Sequence, residues 1–492
     1  MYLGLDLGTS ELKALLLAAD HTVVAVARAP LTVSRPHPLW SEQEPVHWWQ
    51  ALESVMAQLA AEQPSALSEV RAIGLSGQMH GAVLLDGDDE VLRPAILWND
   101  GRSGAECEAL TGAVPNLTQI TANLAMPGFT APKLMWVRTH EPEIFGRVAR
   151  VLLPKDYLRL RLTGQAVTDC SDASGTLWLD VGARRWSPEV LAACGLTEAQ
   201  MPRLVEGSES SGNVLPELAQ RFGLRAEVIV AGGGGDNAAS AVGIGAVSPG
   251  QGFLSLGTSG VIFVATDRLI PNPVQAMHAF CHALPSRWHQ MSVMLSAASA
   301  VSWAVRSFGF ADEAALMAAA ESLSPAACAE APLFLPYLSG ERTPHNNPLA
   351  TGSLIGLTHT HDAAAVAYAV VEGVSFGLLD GYRTLSLPEA NRVAALSVVG
   401  GGSRSEYWVQ LLASVLDVPL LLHAGGEAGG ALGAARLGWL ADAGTTPGTL
   451  AQVCPSPPVR KRFEPLAAQR AWLMPRHARF RSLYTALKGT AA

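Results

Sequence analysis

Cysteine is scarce and scattered in this chain of 492 residues. The six, Cys107, Cys170, Cys194, Cys281, Cys328 and Cys454, show no Cys-x-x-Cys spacing, which excludes a compact disulfide framework and predicts reduced thiols. Charge is also sparse, at 16% of residues with a formal net charge of −9. No Lys/Arg cluster is interleaved with aromatics, so the basic face that a nucleic-acid partner needs is missing; Arg460-Lys461-Arg462 reads as a solvated loop. The N-terminus shows no basic segment followed by an apolar core, and no apolar run is read as approaching the ~18–20 residues of a membrane helix. A cytoplasmic protein with no membrane partner is expected. The 47 glycines follow no period, which excludes a fibrous chain, and the 49% hydrophobic content fits a compact enzyme with large buried sheets. Its length exceeds one core and predicts two or three domains.

What the sequence does have is a repeat. Leu-Gly-Thr-Ser occurs at Leu7–Ser10 and again at Leu256–Ser259, each time after a short strand-like run. In the first copy Met1–Leu7 precedes the turn and Leu12–Ala18 follows it, the pattern of a β-hairpin. Such a turn can aim backbone N–H groups and hydroxyls at an anion, and Asp6 beside it can hold the water shell of a Mg²⁺ bridging phosphate oxygens. Two more glycine turns follow apolar runs: Gly232–Gly235, leading into Asp236-Asn237, and Gly400-Gly401-Gly402-Ser403. Four strand-to-glycine turns favour a phosphate site, and the duplication favours two domains. The turn-rich segment Ala246–Gly252 places the boundary, giving residues 1–246 and 247–492.

Alternating patterns along the first half predict an α/β fold: hairpins over Tyr2–Pro30, a helix over Pro45–Ala61 and a strand over Val70–Leu75. In the second half helices are expected over Ala363–Thr384 and Ser405–Leu416, with a polar helix in the tail from Leu466. The run Glu427–Ala435 reads as a helix whose glycines require close approach, either to a neighbouring helix or to a nucleotide. His278, His282 and His289 lack a carboxylate or cysteine set at ligand spacing and fit a hairpin better than a metal site.

The longer motifs carry a resemblance. Gly128–Trp136 resembles the first signature of the FGGY carbohydrate kinases, and Gly352–Leu357 with Ala369–Glu372 the second; there Ala365 replaces a usual polar residue at what is expected to be a helix surface. Leu39–Pro45, Gly77-Gln78-Met79-His80-Gly81, Leu97–Arg102 and Ser339–Asn347 resemble the ketopentose-phosphorylating members. The resemblance implies an α/β fold of two duplicated actin-like (ribonuclease H-like) ATPase domains around an interdomain cleft. The implied reaction is transfer of the γ-phosphoryl of ATP, with Mg²⁺, to a primary hydroxyl of a ketopentose. Asp236 matches the family's catalytic aspartate, although from spacing alone it could as well cap the helix that follows. Asp6 is expected to be the second catalytic carboxylate, acting on Mg²⁺ through water, with a surface or turn aspartate as the alternative. Met79, His80 and Asn237 match sugar-contacting positions, with Asp100 and Arg102 as a supporting pair or a purely structural one. ATP contacts are expected from Gly8, Thr9, Ser10 and Lys13, from Gly257, Thr258 and Ser259, and, toward the adenosine, from Gly401, Gly402 and Ser403. Lys13 could instead be a solvated surface residue. Glu11, where the family often has a small residue, must turn away from the phosphates. A homodimer is compatible with the family. The competing readings are a kinase of ribulose, fuculose, gluconate or glycerol, and an actin-like ATPase with no sugar acceptor.

Overall fold

The computed structural model describes residues 1–389, 392–424 and 429–488. Two seven-stranded sheets carry the two halves, and their strands correspond one to one through six positions. In the first, Tyr2–Leu7 pairs antiparallel with Glu11–Leu17 and parallel with Ala72–Gly77. In the second, Gly252–Leu256 pairs antiparallel with Gly260–Thr266 and parallel with Leu396–Val399. Each sheet continues on one side into a further antiparallel strand, Val23–Pro30 or Trp288–Met294, and on the other into a parallel strand, Ile229–Ala231 or Leu420–His423, edged by an antiparallel one. The repeated tetrapeptide therefore marks the same turn of the same hairpin in both copies.

The halves exchange helices. Gly429–Ala443, late in the sequence, lies on the first sheet: a Cβ at Gly4 would fall 1.9 Å from the Ala431 carbonyl oxygen, and one at Gly74 1.7 Å from that of Ala434. Asp236–Ile244, from the first half of the sequence, sends Ala241 and Ile244 into a small core with Phe253 and Phe263 of the second sheet. The two helices press together, since a Cβ at Gly433 would sit 1.7 Å from the Ala239 carbonyl oxygen. Glycines on both elements bring backbone to backbone, at a helix-propensity cost of roughly 1 kcal/mol each that the packing offsets. Of the glycine-rich run read as a helix, Glu427 and Ala428 lie outside the described residues; the remainder is helical and its glycines serve packing.

Two expectations are corrected. Ala363–Tyr382 is, by length and composition, a helix able to cross a membrane, contrary to the reading that no such run exists; 89% of the qualifying window is buried within the protein. It is apolar on all sides because other elements surround it. Ala365 is not on the helix surface but 6% exposed, and its backbone N–H donates to the capping Asp362 at 3.0 Å. The tail is the helix Ala467–Leu487, pinned to the second half where Arg476 forms a two-bond fork on Glu372, at 2.7 and 2.6 Å. His278–Cys281 and Trp288–Met294 do form a hairpin, and His278 bonds Asn123 of the first half at 3.0 Å.

Candidate active site

The first glycine turn closes where the Gly8 N–H donates to the Glu11 carbonyl at 3.0 Å. The Thr9 hydroxyl is engaged within the fold, donating to Gln78 Oε1 and accepting from the Trp98 indole, both at 3.0 Å. Ser10 is exposed, and Lys13, opposite Asp6 in the strand register, makes no ion pair among the described residues. Glu11 is drawn to Arg28 at 2.6 Å, so its charge is answered by a neighbouring strand. The second turn is braced from behind: the Gly257 and Thr258 carbonyls accept from Ala298 and Ala297 at 2.9 and 3.0 Å. The third turn lies against it. Gly400, at φ 87°, sits where a Cβ would meet the Leu256 backbone at 2.8 Å, and Gly402 where one would meet Leu256 Cβ at 2.8 Å. Gly401 faces open space, and the Ser403 hydroxyl donates back to the Gly400 carbonyl at 2.7 Å. Thus Gly257–Ser259 and Gly401–Ser403 form one cluster on the second sheet, and Gly8–Ser10 another on the first.

Asp236 is the first residue of its helix, and its carboxylate accepts from the Asn237 backbone and side-chain amides at 2.7 and 2.9 Å. It therefore bonds its immediate neighbour and not the N–H groups further along that a capping side chain serves. Burial, aided by the nearby Asp6 charge, pushes its pKa up to about 6 despite the Asn237 bonds. Asp6 accepts from the Ser76 hydroxyl at 2.9 Å and is likewise raised by burial, with Ser76 and Lys13 opposing. The N-terminus of the exchanged helix abuts this carboxylate: a Cβ at Gly430 would lie 2.7 Å from Asp6 Oδ1.

Met79 and His80 border the same region. A Cβ at Gly235 would meet Met79 Sδ at 2.8 Å, so the residue before Asp236 is glycine because Met79 fills that space. His80, at φ 69°, bonds the Gly175 carbonyl through Nδ1 at 2.7 Å, and Phe129 meets its ring edge-on at 4.8 Å. A carbonyl only accepts, so Nδ1 carries the hydrogen and Nε2 keeps its lone pair. Burial holds the imidazole neutral, its pKa lowered to about 3. Asp100 and Arg102 stand behind this layer: Arg102 forks onto Asp100 at 2.9 and 2.7 Å, reaches Glu42 at 2.8 Å and stacks 3.6 Å over Trp40. These contacts tie the pair into the fold.

Residue reading missed Lys133, which donates to the His80 carbonyl at 3.0 Å and whose pKa burial lowers to about 7. It lay inside the quoted Gly128–Trp136 motif, the one signal that could have found it. Gln78, Ser76 and Gly175 were missed because their partners are remote in sequence.

Duplicated sheets, paired glycine turns and two half-buried carboxylates define a phosphotransferase on an actin-like frame, and the chain belongs to the FGGY family of carbohydrate kinases. The family's N-terminal domain model matches residues 1–243 and its C-terminal domain model residues 252–441. Among its relatives, the xylulose kinase of Escherichia coli K12 is 52% identical over 99% of both chains. The crystal structure of a xyloylose kinase from Brucella ovis superposes with a TM-score of 0.95 at 50% identity, covering 99% of each chain. A gluconate kinase from Lactobacillus acidophilus gives a TM-score of 0.92 at 24% identity, covering 99% of this chain and 98% of its own, so the fold by itself does not choose the acceptor.

Proposed function

We propose that the protein transfers the γ-phosphoryl group of ATP to D-xylulose, giving D-xylulose 5-phosphate and ADP. The observation that carries the reaction type is the carboxylate of Asp236, raised toward neutrality at the end of a glycine turn beside Met79 and His80. Full-length identity of 52% to a xylulose kinase supports the acceptor.

A sugar hydroxyl is a weak nucleophile at neutral pH, so its proton must leave as the bond to phosphorus forms. Asp236 takes that proton. Its pKa near 6 leaves it ionised at pH 7 yet more basic than an ordinary aspartate. Its Oδ1 is held by Asn237, which orients the other oxygen toward the acceptor. His80 Nε2 accepts from a second sugar hydroxyl, and Asn237 adds an amide. Lys13 and Ser10 meet the phosphates from one side, Thr258 and Ser259 from the other, and Gly401, Gly402 and Ser403 the adenosine end. Thr9 holds the first turn in shape through Gln78 and Trp98. We place the division between the halves at residues 246/247, with closure of the cleft excluding water from the transferring group.

Mg²⁺ fits Asp6. The charge of two nearby carboxylates suits a divalent cation, and Asp6 would hold it through water. When bound, it neutralises charge on the transferring phosphoryl group.

The product is the direct test: ³¹P–¹H correlation should show a phosphate ester on the C5 methylene, and an ester elsewhere contradicts the assignment. The pH profile supplies a second. The base works ionised, so kcat/KM should be level above about pH 7 and fall as pH drops through about 6. His80, neutral down to about pH 3, adds no inflection there. A profile flat to pH 5 would remove Asp236 as the base.

A further inference from the structure

We infer that the short buried helix Cys170–Ser174, clamped by Lys155, is a positioning element that fixes Asp236 and His80 relative to one another. The inference rests on the active-site reading above and concerns residues that do not touch substrate.

The helix connects to both groups. At its start the Ser171 hydroxyl donates to Asp169 and accepts the Gly235 N–H at 3.2 Å, gripping the residue immediately before Asp236. Just past its end the Gly175 carbonyl takes the His80 Nδ1–H at 2.7 Å, which sets the ring and its tautomer. The Ser174 hydroxyl accepts the Cys281 N–H at 3.1 Å, joining the same helix to the second half.

The clamp lies beneath. Asp169 caps the helix, accepting from the Ser171 and Asp172 N–H groups at 2.8 and 3.2 Å. Lys155 Nζ meets Asp169 at 2.8 Å, Asp172 at 3.0 Å and Asp156 at 2.6 Å. Arg159 bonds Asp156 and the Val167 carbonyl, both at 2.7 Å, and also the Gly232 carbonyl at the head of the glycine turn. All five charged side chains are fully buried. Lys155 Cβ also lies 3.2 Å from where a Cβ on Gly77 would sit, and Gly77 is the strand partner of Gly235.

Apolar residues of equal volume generally stabilise a fold as well as a buried ion network does, because desolvation offsets the attraction. What the network adds is direction. Its bonds fix the height and rotation of one helical turn whose two ends hold the proton acceptor and the sugar-binding imidazole. A misplacement of about 1 Å in such a constellation can cost up to ~100-fold in rate.

A double-mutant cycle on the full-length enzyme tests this, using Ser171→Ala, Asp236→Ala and the pair, with D-xylulose and MgATP. Ser171→Ala should lower kcat about tenfold and leave both KM values within about twofold. In the Asp236→Ala background it should lower the residual turnover no further, because groups acting as a unit are strongly non-additive. An unchanged kcat in Ser171→Ala, or an equal fold-loss in both backgrounds, overturns the inference and leaves the active-site reading standing. Full turnover in Asp236→Ala alone overturns that reading, and the inference with it.

Discussion

Replacing Asp236 by alanine should lower kcat with D-xylulose by roughly 10²–10⁴-fold, the range that a positioned general base contributes, while ATP affinity stays close to that of the parent. The two effects separate because, among the described residues, the carboxylate bonds Asn237 and follows Gly235, which packs on Met79, while the proposed ATP contacts come from other turns. The loss belongs to the transition state, where the hydroxyl proton is in flight, so KM for the sugar should change far less than kcat. The Asp236→Asn variant keeps the shape and the hydrogen-bonding capacity but cannot take a proton, and should be nearly as slow. Steady-state kinetics with ATP binding by calorimetry check this. Retained turnover in Asp236→Asn would mean that the carboxylate only shapes the pocket.

The second large effect concerns the exchanged helices. Gly433→Ala should destabilise the protein by about 3 kcal/mol, at the upper end of ordinary overpacking, with a fall in Tm of roughly 6–12 °C for a half of this size. Alanine is the better helix former by about 1 kcal/mol, so propensity alone predicts the opposite sign. Packing wins because a Cβ at Gly433 lies 1.7 Å from a backbone carbonyl oxygen, which cannot rotate aside as a flexible side chain would. Gly112 is the control: it lies in the helix Gly104–Ala113 with nothing within 4 Å of its would-be Cβ. Gly112→Ala should therefore stabilise by up to about 1 kcal/mol. The Gly433 variant should also lose activity, because displacing its helix moves Gly430 from the Asp6 carboxylate. Equal melting shifts in the two variants would show that close helix approach is not what these glycines provide.

Much of this was legible in local pattern. The tetrapeptide repeat located both hairpin turns because a phosphate-type turn needs small residues in a fixed order, and the strand-like runs beside it marked the flanking strands. Asp236 stood out because it follows a glycine run. The exchange of helices was not legible, since Gly429–Ala443 and Asp236–Ile244 each have an ordinary helical pattern and nothing local names the sheet beneath them. The apolar helix Ala363–Tyr382 was underestimated because its Gly, Ser and Glu positions interrupt the run, although 89% of its most apolar window is buried. The charge network failed to register for the opposite reason. Lys155, Asp156, Arg159, Asp169 and Asp172 look in sequence like a solvated surface, and only the fold brings them into contact. Lys133 was likewise hidden, its neighbours Asp100, Arg102 and His80 lying more than thirty positions upstream.

The central claim, phosphoryl transfer to one ketopentose, is tested most directly by ADP release with MgATP across D-xylulose, D-ribulose, L-ribulose, L-fuculose, gluconate and glycerol beside a sugar-free blank. The account predicts a strong preference for D-xylulose and only slow release in the blank, because the acceptor favours closure and supplies the nucleophile. Equal rates in every arm, blank included, would contradict it and leave an uncoupled ATPase.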